Sequence, residues 1–246
     1  MSEPTTPAPG PPHDRPFLPA MGAGGALSLY DAMSRLGGRT AHRRLVAAAD
    51  LAPGQTVLEI GCGTGNVLLA AAEAQPAATI VGLDPDAAAL DRARAKAQRR
   101  GRTIRLEQGF ADDLPHADGS VDRVLSAFMF HHLPAETKAA MLGEVHRVLA
   151  PGGILLLVDF EGLPRPYRLL APMLRLLGHG PGSHGHGGHG HGGHEHDEPL
   201  VPVANDADTV RELLGDAGFT DVAEIEAANS PFGRWISHRA VRGGRP

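Results

Sequence analysis

Residues 56–65 read Thr-Val-Leu-Glu-Ile-Gly-Cys-Gly-Thr-Gly, an apolar run that leads through the acidic Glu59 into a glycine-rich loop. The aliphatic residues before the loop are typical of a strand buried in a parallel sheet. The three glycines allow a sharp turn and the close approach of a ligand, because they carry no Cβ atom. A helix is predicted to begin near Asn66, and its first N–H groups would face the same ligand. The stretch therefore predicts a ligand-binding unit made of a strand, a loop and a helix.

Strand and helix patterns alternate on either side of this unit. Further strands are predicted at 79–83, 104–108, 121–128 and 154–159. Helices are predicted at 27–50 with a break at the glycine pair 37–38, and at 66–74, 87–99, 135–149 and 206–217. Residues 222–225 and 236–241, joined by turn residues, indicate an antiparallel hairpin at the C-terminal end. The alternation predicts an α/β fold, with a mostly parallel sheet covered by helices on both faces.

Composition excludes several kinds of protein. The chain has 246 residues, a net charge of −5 and no evident basic face, which disfavours nucleic acid as a partner. Aromatic residues make up only 4% of the chain, which disfavours a surface that stacks on bases. No apolar run reaches the roughly 18 residues of a transmembrane helix. The single cysteine, Cys62, cannot form an internal disulfide, so a reducing, cytoplasmic location is predicted.

Polar and aromatic residues follow four of the predicted strands, at the edge of the sheet where ligands bind in open α/β folds. Glu59 and the glycine loop end the first strand, and Asp84 with Pro85 ends the second. The segment that contains Ala111 and Asp112 follows the third strand. Three ring-bearing residues follow the fourth strand: Phe128, His131 and His132. The presence of all these groups at one edge of the sheet is a more specific sign of a ligand-binding site than any one of them.

Asp84 is the most informative of these residues. A carboxylate at this position can accept hydrogen bonds from the two hydroxyls of a ribose, worth about 1.5–3 kcal/mol each. The alternative is that Asp84 or Asp86 only caps the next helix, with Pro85 in its first turn. An NAD-dependent enzyme would also place an acid here, so Asp84 alone does not show which ribose-containing cofactor binds.

The spacing E-x-G-x-G-x-G from Glu59 to Gly65 resembles motif I of the class I S-adenosylmethionine-dependent methyltransferases. The dinucleotide pattern G-x-G-x-x-G would require glycine at position 66, where the chain has asparagine. Residues 109–115 resemble the family's G-D-A-x-x-L-P segment but carry Phe110 where an acid is usual. Residues 118–122 and 144–153 resemble its D-x-S-F-D and E-x-x-R-V-L-x-P-G-G segments. Within the family, the branch with the ubiquinone and menaquinone C-methyltransferases is most similar.

The resemblance implies a fold, a cofactor and a set of residues. The fold is a seven-stranded, Rossmann-like sheet with an antiparallel terminal hairpin, and the cofactor is S-adenosylmethionine, whose methyl group passes to a small-molecule acceptor. The residues expected to bind the cofactor are Tyr30, Glu59, Gly61, Cys62, Gly63, Gly65, Asn66, Asp84, Pro85, Ala111, Asp112 and Phe128. The Ala111 N–H and the Asp112 carboxylate are expected to meet the adenine. Tyr30 would lie near the methionine end, or act only as a core aromatic.

His131 or His132 is the candidate for a general base, if the acceptor is a phenol or an activated ring carbon. Such a base would take a proton from the acceptor within hydrogen-bonding distance. The alternative is that one of these histidines packs in the core while the other faces solvent. The sequence leaves both alternatives open.

One segment is predicted to precede the motif-bearing domain, and another is predicted to interrupt it. Residues 1–24 are rich in proline and are predicted to form a disordered tail before the methyltransferase domain at 25–246. An insertion at 166–200 is predicted to resemble a substrate lid, with a short leucine-rich helix at 166–178 followed by a Gly/His tract. The imidazoles that could bind a divalent metal there are His184, His186, His189, His191, His194 and His196. A solvated insertion without metal is the alternative, because the tract lacks zinc-finger spacing.

Two other classes of protein remain as alternatives. One is a metal-binding protein in which the methyltransferase-like core is only a scaffold for the histidine tract. The other is an NAD(P)-dependent oxidoreductase, which Asn66 disfavours. Tight binding of adenosylmethionine without metal would favour the methyltransferase over the metal-binding protein.

Overall fold

The computed structural model describes residues 39–162, 205–230 and 233–244. The helices in these ranges are α1 (Arg39–Ala48), α2 (Asn66–Ala74), α3 (Ala87–Arg99), α4 (Ala135–Val148) and α5 (Ala207–Asp216), with a 3-10 turn at Phe130–His132. The strands are β1 (Thr56–Ile60), β2 (Thr79–Asp84), β3 (Arg105–Gln108), β4 (Val121–Ala127), β5 (Leu149–Phe160), β6 (Phe219–Ser230) and β7 (Gly233–Arg242). The predicted bounds of β1, α2 and α3 agree with the structure, and most others differ by one or two residues.

The seven strands form one sheet in the order β3-β2-β1-β4-β5-β7-β6. Strands β1 to β5 run parallel, whereas β7 pairs antiparallel with both β5 and β6. The predicted α/β fold with a terminal antiparallel hairpin is therefore confirmed. The strand order reverses between β1 and β4. Strands β2 and β3 are added on one side of β1, and β4 is then added on its other side. This switch point is where open α/β sheets bind their ligands.

Helices cover both faces of the sheet, and the side chains of the central strands alternate between them. Leu58 and Val124 belong to a fully buried cluster that includes Leu142 of α4, on one face. Val57 and Leu125 belong to the cluster on the other face, which includes Leu45 of α1 and Leu68 of α2. Each fully buried side chain of this size stabilises the fold by about 1.5–3 kcal/mol. The carboxyl ends of the strands are thus held on a rigid support.

Strand β5 begins earlier than the sequence predicted, at Leu149 rather than at residue 154. Leu149 pairs with Val121 at the start of β4, and the register shifts before Arg123 pairs with Ile154. The shift passes through Gly152, whose φ is +77°, a conformation that favours glycine. The preceding helix already ends at Val148, and the Pro-Gly-Gly sequence that was predicted to stop it lies within the irregular strand.

Several predictions fall outside the described residues. They are the proline-rich tail at 1–24, Tyr30, the glycine break at 37–38, the helix at 166–178 and the histidine tract. The bounds of the tail, the domain and the insertion stay predictions. Within the described ranges, no helix combines the length and apolar character needed to cross a membrane.

Candidate functional site

The glycine loop after β1 has the backbone shape that its composition predicted. Gly61, Gly63 and Gly65 have φ values of +68°, +49° and +78°, where other residues are strained. The N–H groups of Gly61 and Cys62 both donate to the Leu83 carbonyl of β2, at 2.8 and 3.1 Å. Helix α2 follows Gly65 without a side-chain cap. The loop is therefore attached to β2 at its start and leads directly to the exposed N–H groups of a helix.

The three glycines differ in what surrounds them. A Cβ atom on Gly61 would lie 2.3 Å from Cγ of Met129, the residue before the 3-10 turn that follows β4. A Cβ atom on Gly65 would lie 2.9 Å from that of Ala93 in α3. A Cβ atom on Gly63 would meet nothing within 4 Å. Gly61 and Gly65 thus allow close packing, whereas Gly63 borders open space that a ligand could fill.

Glu59 lies beneath the loop and is only 3% exposed. Burial raises the pKa of its carboxyl well above the usual value; a hydrogen bond from the Leu68 backbone opposes the shift, and the nearby Asp84 adds to it. Its Oε2 atom is buried and has no hydrogen-bond partner among the described residues. A buried oxygen of this kind is costly to leave unpaired. It suits a donor group on a ligand, such as an ammonium.

Asp84 joins the end of β2 to the glycine loop. Its Oδ2 atom accepts a hydrogen bond of 2.7 Å from the Gly63 N–H, and its Oδ1 atom accepts one of 2.9 Å from the Asp86 N–H. The cap of helix α3 is Asp86, whose carboxylate accepts from the N–H groups of Ala88 and Ala89. Capping therefore does not explain Asp84. Burial raises the pKa of Asp84 to about 6, despite the two hydrogen bonds that favour the charged form.

The segment after β3 is attached to the same strand end. The Gly109 N–H donates to the Asp84 carbonyl at 3.3 Å, and Gln108 Nε2 donates to the Pro85 carbonyl at 3.0 Å. Ala111 is half-buried and packs against the core, and Asp112 beside it is also half-buried. The sequence-predicted residues of β1, β2 and the segment after β3 are therefore neighbours in the structure.

The loop that contains this segment is held by an ion pair on helix α4. Arg147 donates from Nε and Nη2 to the two carboxylate oxygens of Glu144, both at 2.7 Å. It also donates to the carbonyls of Leu114 and His116 and to the carboxylate of Asp118. Glu144 in turn accepts from the Leu114 N–H at 2.9 Å. The E-x-x-R pattern at 144–147 thus fixes the loop rather than contacting the glycine loop.

Lys96 of α3 supports the glycine loop and was not predicted from the sequence. Its side chain is buried, and Nζ donates to Thr64 Oγ1 at 2.8 Å and to Asn66 Oδ1 at 3.1 Å. Lysine is seldom fully buried without partners. The signal in the sequence was its position on the apolar face of α3, three residues after Ala93.

Cys62 points away from the open side of the loop. Its side chain is 5% exposed, and its sulfur lies 2.9 Å from where a Cβ atom on Gly82 would be. Burial, together with the charges of Glu59 and Asp84, raises the pKa of its thiol. A raised pKa is the opposite of what a reactive thiol needs. Only the backbone of Cys62 can face a ligand over the loop.

Aromatic rings gather where β4 and β5 end. Phe128 has a φ of +55°, a conformation that is uncommon outside glycine and marks local strain. Its ring centroid lies 4.8 Å from that of Phe160 and 5.7 Å from that of His42 in α1. Phe128 and Phe160 are both half-buried. In a chain with few aromatic residues, this cluster marks the strand ends beside the glycine loop as an apolar wall.

The two candidate base residues lie in the 3-10 turn after β4, with their ring centroids 4.1 Å apart. His131 is buried, and its Nδ1 atom lies 2.6 Å from Oδ1 of Asp159 in β5. His132 is half-buried, and burial, followed by the effect of His131, lowers its pKa to about 4. One histidine is thus buried and the other is partly exposed, and the role of either as a base stays a prediction.

Further residues near this pair were missed by the sequence analysis. Asp159 also accepts a 2.7 Å bond from the His131 N–H, and Asn205 Nδ2 lies 3.4 Å from its Oδ2. Lys138 of α4 donates to Asn205 Oδ1 at 2.5 Å. Burial lowers the pKa of Lys138, and the charge of Asp159 opposes that shift. The sequence offered Asp159 as a strand end but gave no signal that linked it to His131.

Candidate metal ligands divide between the described residues and the histidine tract. Within the described ranges, no group of three or more His, Cys, Asp or Glu side chains is arranged to hold a metal ion. The six histidines proposed as weak ligands, at positions 184–196, lie outside those ranges. The prediction for the histidine tract therefore remains untested.

Known proteins match the part of the chain that carries this site. The family described as "Methyltransferase domain" matches residues 57–153. Demethylmenaquinone methyltransferase of Thermus thermophilus is 38% identical over 141 residues, which are 55% of this chain and 63% of that protein. The enzyme of the same name from Deinococcus radiodurans is 40% identical over 135 residues, 53% of this chain and 55% of that protein. The chain thus spans less than two thirds of the length of these relatives.

Solved structures share the fold at lower identity. Phosphoethanolamine N-methyltransferase 2 of Haemonchus contortus, in complex with phosphomonomethylethanolamine and S-adenosylhomocysteine, has a TM-score of 0.67 and 14% identity. That match covers 89% of this chain and 57% of that protein. Magnesium protoporphyrin IX methyltransferase of Synechocystis PCC 6803, with bound S-adenosylhomocysteine, has a TM-score of 0.61 and 23% identity, over 83% and 81% of the two chains. At these identities the likeness concerns the fold.

The strand order, the glycine loop and the strand-end carboxylate define a Rossmann-like methyltransferase domain. The family match identifies residues 57–153 as a methyltransferase domain, and together with the curated relatives it makes this part of the chain similar to the class I S-adenosylmethionine-dependent methyltransferases.

Proposed function

We propose that this chain transfers a methyl group from S-adenosylmethionine to a small aromatic acceptor. The observation that carries the proposal is the junction of the glycine loop with β2, where Gly63 donates to Asp84 at 2.7 Å. A ligand that spans this junction would meet a carboxylate on one side and glycine backbone on the other. S-adenosylmethionine has the matching parts, a ribose and an amino-acid tail.

The residues present fit this cofactor. The unpaired Oε2 of Glu59 suits the ammonium of the amino-acid tail, and the open space at Gly63 leaves room for it. Asp84 would accept from the ribose hydroxyls, with Pro85 beside it. Ala111 and Asp112 would border the adenine, and the backbone of Cys62 would line the loop. Gly61, Gly65, Asn66 and Phe128 complete the predicted set, and Tyr30 stays a prediction outside the described residues.

The bound cofactor supplies a methyl group that its sulfonium has already activated, so the protein mainly has to orient the reactants. Well-oriented reactants gain effective molarities on the order of 10⁵–10⁸ M. The rigid ends of β1, β2, β4 and β5 are suited to hold both molecules. No covalent intermediate with the protein is required.

An aromatic acceptor is supported by the rings at the ends of β4 and β5. Phe128 and Phe160 present half-buried faces beside Met129, which packs on Gly61. Offset stacking on such rings contributes about 0.5–1.5 kcal/mol beyond the burial of area. The curated relatives act, by their names, on demethylmenaquinone. We therefore propose a reduced quinone ring, or a similarly activated phenol, as the acceptor.

Isothermal titration with S-adenosylhomocysteine in the presence of a chelator tests the cofactor. The proposal predicts one ligand per chain without metal. No binding, together with tight binding of Ni²⁺ or Zn²⁺, would instead favour a metal-binding protein. Binding of NAD(H) or NADP(H) in its place would favour the oxidoreductase. Fractionation of cells tests the predicted cytoplasmic location.

A further inference from the structure

Four buried side chains form a connected row that begins beside Phe160, at the apolar wall. His131 contacts Asp159 twice, through Nδ1 at 2.6 Å and through its backbone N–H at 2.7 Å. Asn205 Nδ2 lies 3.4 Å from Asp159, and Lys138 donates to Asn205 at 2.5 Å. All four are less than 5% exposed. We call this row the β5 network, because Asp159 of β5 is its centre.

Burying the charged members of the β5 network costs free energy, which suggests that the network has a role. Moving a carboxylate or an ammonium out of water costs several kcal/mol for each ion, even after relaxation. Here Asp159 is compensated by hydrogen bonds on both oxygens, including one of 2.7 Å from the Phe160 N–H. Lys138 is compensated by Asn205 and by the ring of Phe130, whose centroid lies 5.2 Å from Nζ. Buried networks of hydrogen-bonded side chains fix the positions of their members.

The contact with Asp159 decides which nitrogen of His131 carries hydrogen. An ionised carboxylate only accepts, so the neutral imidazole must place its hydrogen on Nδ1. Nε2 then keeps its lone pair and can accept a proton. The ring cannot turn freely, because it is held between His132 at 4.1 Å and the edge of Phe160 at 5.8 Å. His131 therefore has the tautomer and the orientation of a general base.

His132 is less suited to that task. Its pKa is lowered to about 4, mainly by burial, which makes it a weak proton acceptor near neutral pH. Its Nδ1 atom is buried without a partner among the described residues, so nothing there selects its tautomer. The described contact of its ring is with the ring of His131, at an interplanar angle of 36°.

We propose that His131 is the general base of the methyl transfer and that Asp159, supported by Asn205 and Lys138, is its positioning residue. This inference rests on the proposed function. Nε2 of His131 takes the proton of the acceptor's aromatic hydroxyl, and the oxygen, or the ring carbon conjugated with it, forms a bond to the methyl carbon. The bond from that carbon to sulfur breaks, and its electron pair stays on sulfur. A methylated ring carbon then loses its own hydrogen as the hydroxyl is restored, and His131 releases one proton to solvent.

Charge balance favours this assignment. Before the transfer, the positive charges are the sulfonium and Lys138, and Asp159 carries the negative charge. After it, sulfur is neutral and His131 is an imidazolium that contacts Asp159. The 2.6 Å contact pairs this imidazolium with the carboxylate of Asp159. Such a pairing of opposite charges is stronger where the effective dielectric constant is low.

The test compares the full-length protein with His131→Asn, Asp159→Asn and the control His146→Asn. His146 lies on α4 and packs edge-on against Phe219, away from the glycine loop. Activity is measured as S-adenosylhomocysteine formed with 1,4-naphthohydroquinone as the probe acceptor. We expect kcat to fall about 10²–10⁴-fold in His131→Asn. We expect the Kd of S-adenosylhomocysteine to stay within about twofold, and His146→Asn to retain the wild-type kcat.

A second measurement does not depend on the folding of His131→Asn. Long-range ¹H–¹⁵N NMR spectra of the wild type report which nitrogen of each histidine is protonated. The proposal predicts hydrogen on Nδ1 of the neutral His131, and a loss of this preference in Asp159→Asn. Hydrogen on Nε2 in the wild type, full activity of His131→Asn, or no turnover of the naphthohydroquinone by wild type that binds S-adenosylhomocysteine would each overturn it. Failure of the wild type to bind S-adenosylhomocysteine would instead overturn the proposed function.

Discussion

The carboxylate of Asp84 accepts a 2.7 Å hydrogen bond from the backbone N–H of Gly63, across the gap between β2 and the loop that follows β1. The contact joins the two residues that the proposed cofactor must touch at the same time. The contact also fixes the positions of the loop and the carboxylate relative to each other. Preorganisation of this kind lowers the cost of binding.

Replacing Asp84 by alanine should weaken binding of S-adenosylhomocysteine by at least about tenfold. The ribose hydroxyls would lose a charged acceptor, and such hydrogen bonds contribute about 1.5–3 kcal/mol each. Isothermal titration measures the effect. Asp216→Ala, at an exposed position on α5, is the matched control and should bind like the wild type. Equal affinities of the wild type and Asp84→Ala would remove Asp84 from the site.

Binding should depend on pH near the raised pKa of Asp84. Burial raises this pKa to about 6, so the carboxyl is largely protonated at pH 5 and ionised at pH 7. If the ionised form binds the ribose, the affinity for S-adenosylhomocysteine should rise between those values, and Asp84→Asn should lack this rise. The sign for stability is the reverse: the folded state holds the proton more tightly than the unfolded state. Its contribution to the free energy of unfolding therefore falls as pH rises from 3.8 to about 6.

Alanine at Gly61 and at Gly63 should have different effects. Both positions have positive φ, so either substitution carries a backbone cost of about 1–2 kcal/mol. At Gly61 the new Cβ would also lie 2.3 Å from Met129, and the protein should lose further stability. At Gly63 it would project into open space, so the main loss should be in affinity for S-adenosylhomocysteine. Thermal unfolding and titration of both variants separate the effects, and a larger loss of stability at Gly63 would contradict this description.

Lys96→Met should destabilise the glycine loop, because it removes hydrogen bonds that hold the loop to helix α3. The substitution removes the donor that contacts Thr64 and Asn66 while keeping an apolar side chain of similar length. We expect the free energy of unfolding to fall by about 1–3 kcal/mol and the affinity for S-adenosylhomocysteine to fall as well. Arg99→Met changes an exposed cation on the same helix and should have little effect on either quantity. Urea unfolding and titration provide both readouts, and identical results for the two variants would argue against the role of Lys96.

The sequence predicted those features that depend on local patterns. The glycine loop, the strand before it and the helix after it lie within twenty residues, and periodicity with glycine spacing specifies them. Asp84 was predicted because it falls where a strand ends. The cap on α3 was left open between two aspartates, since both precede a helix and only geometry shows that Asp86 accepts from Ala88 and Ala89.

Contacts between distant residues could not be predicted in the same way. His131 and Asp159 are 28 residues apart, and they meet because β4 and β5 are neighbours in the sheet. Asn205 lies another 46 residues along the chain, beyond the 166–200 insertion. Lys96 was missed because a lysine on a helix is usually exposed, whereas this one lies beneath the loop. Such pairs depend on strand order and helix packing, which local composition does not encode.

A crystal structure of the full-length protein soaked with S-adenosylhomocysteine tests the central claim most directly. The account predicts both ribose hydroxyls within hydrogen-bonding distance of Asp84, and the amino-acid tail over Gly61–Gly65 with its ammonium near Glu59. A nucleoside bound elsewhere, or a ribose in contact with other groups while Asp84 keeps only its bonds to Gly63 and Asp86, would contradict it.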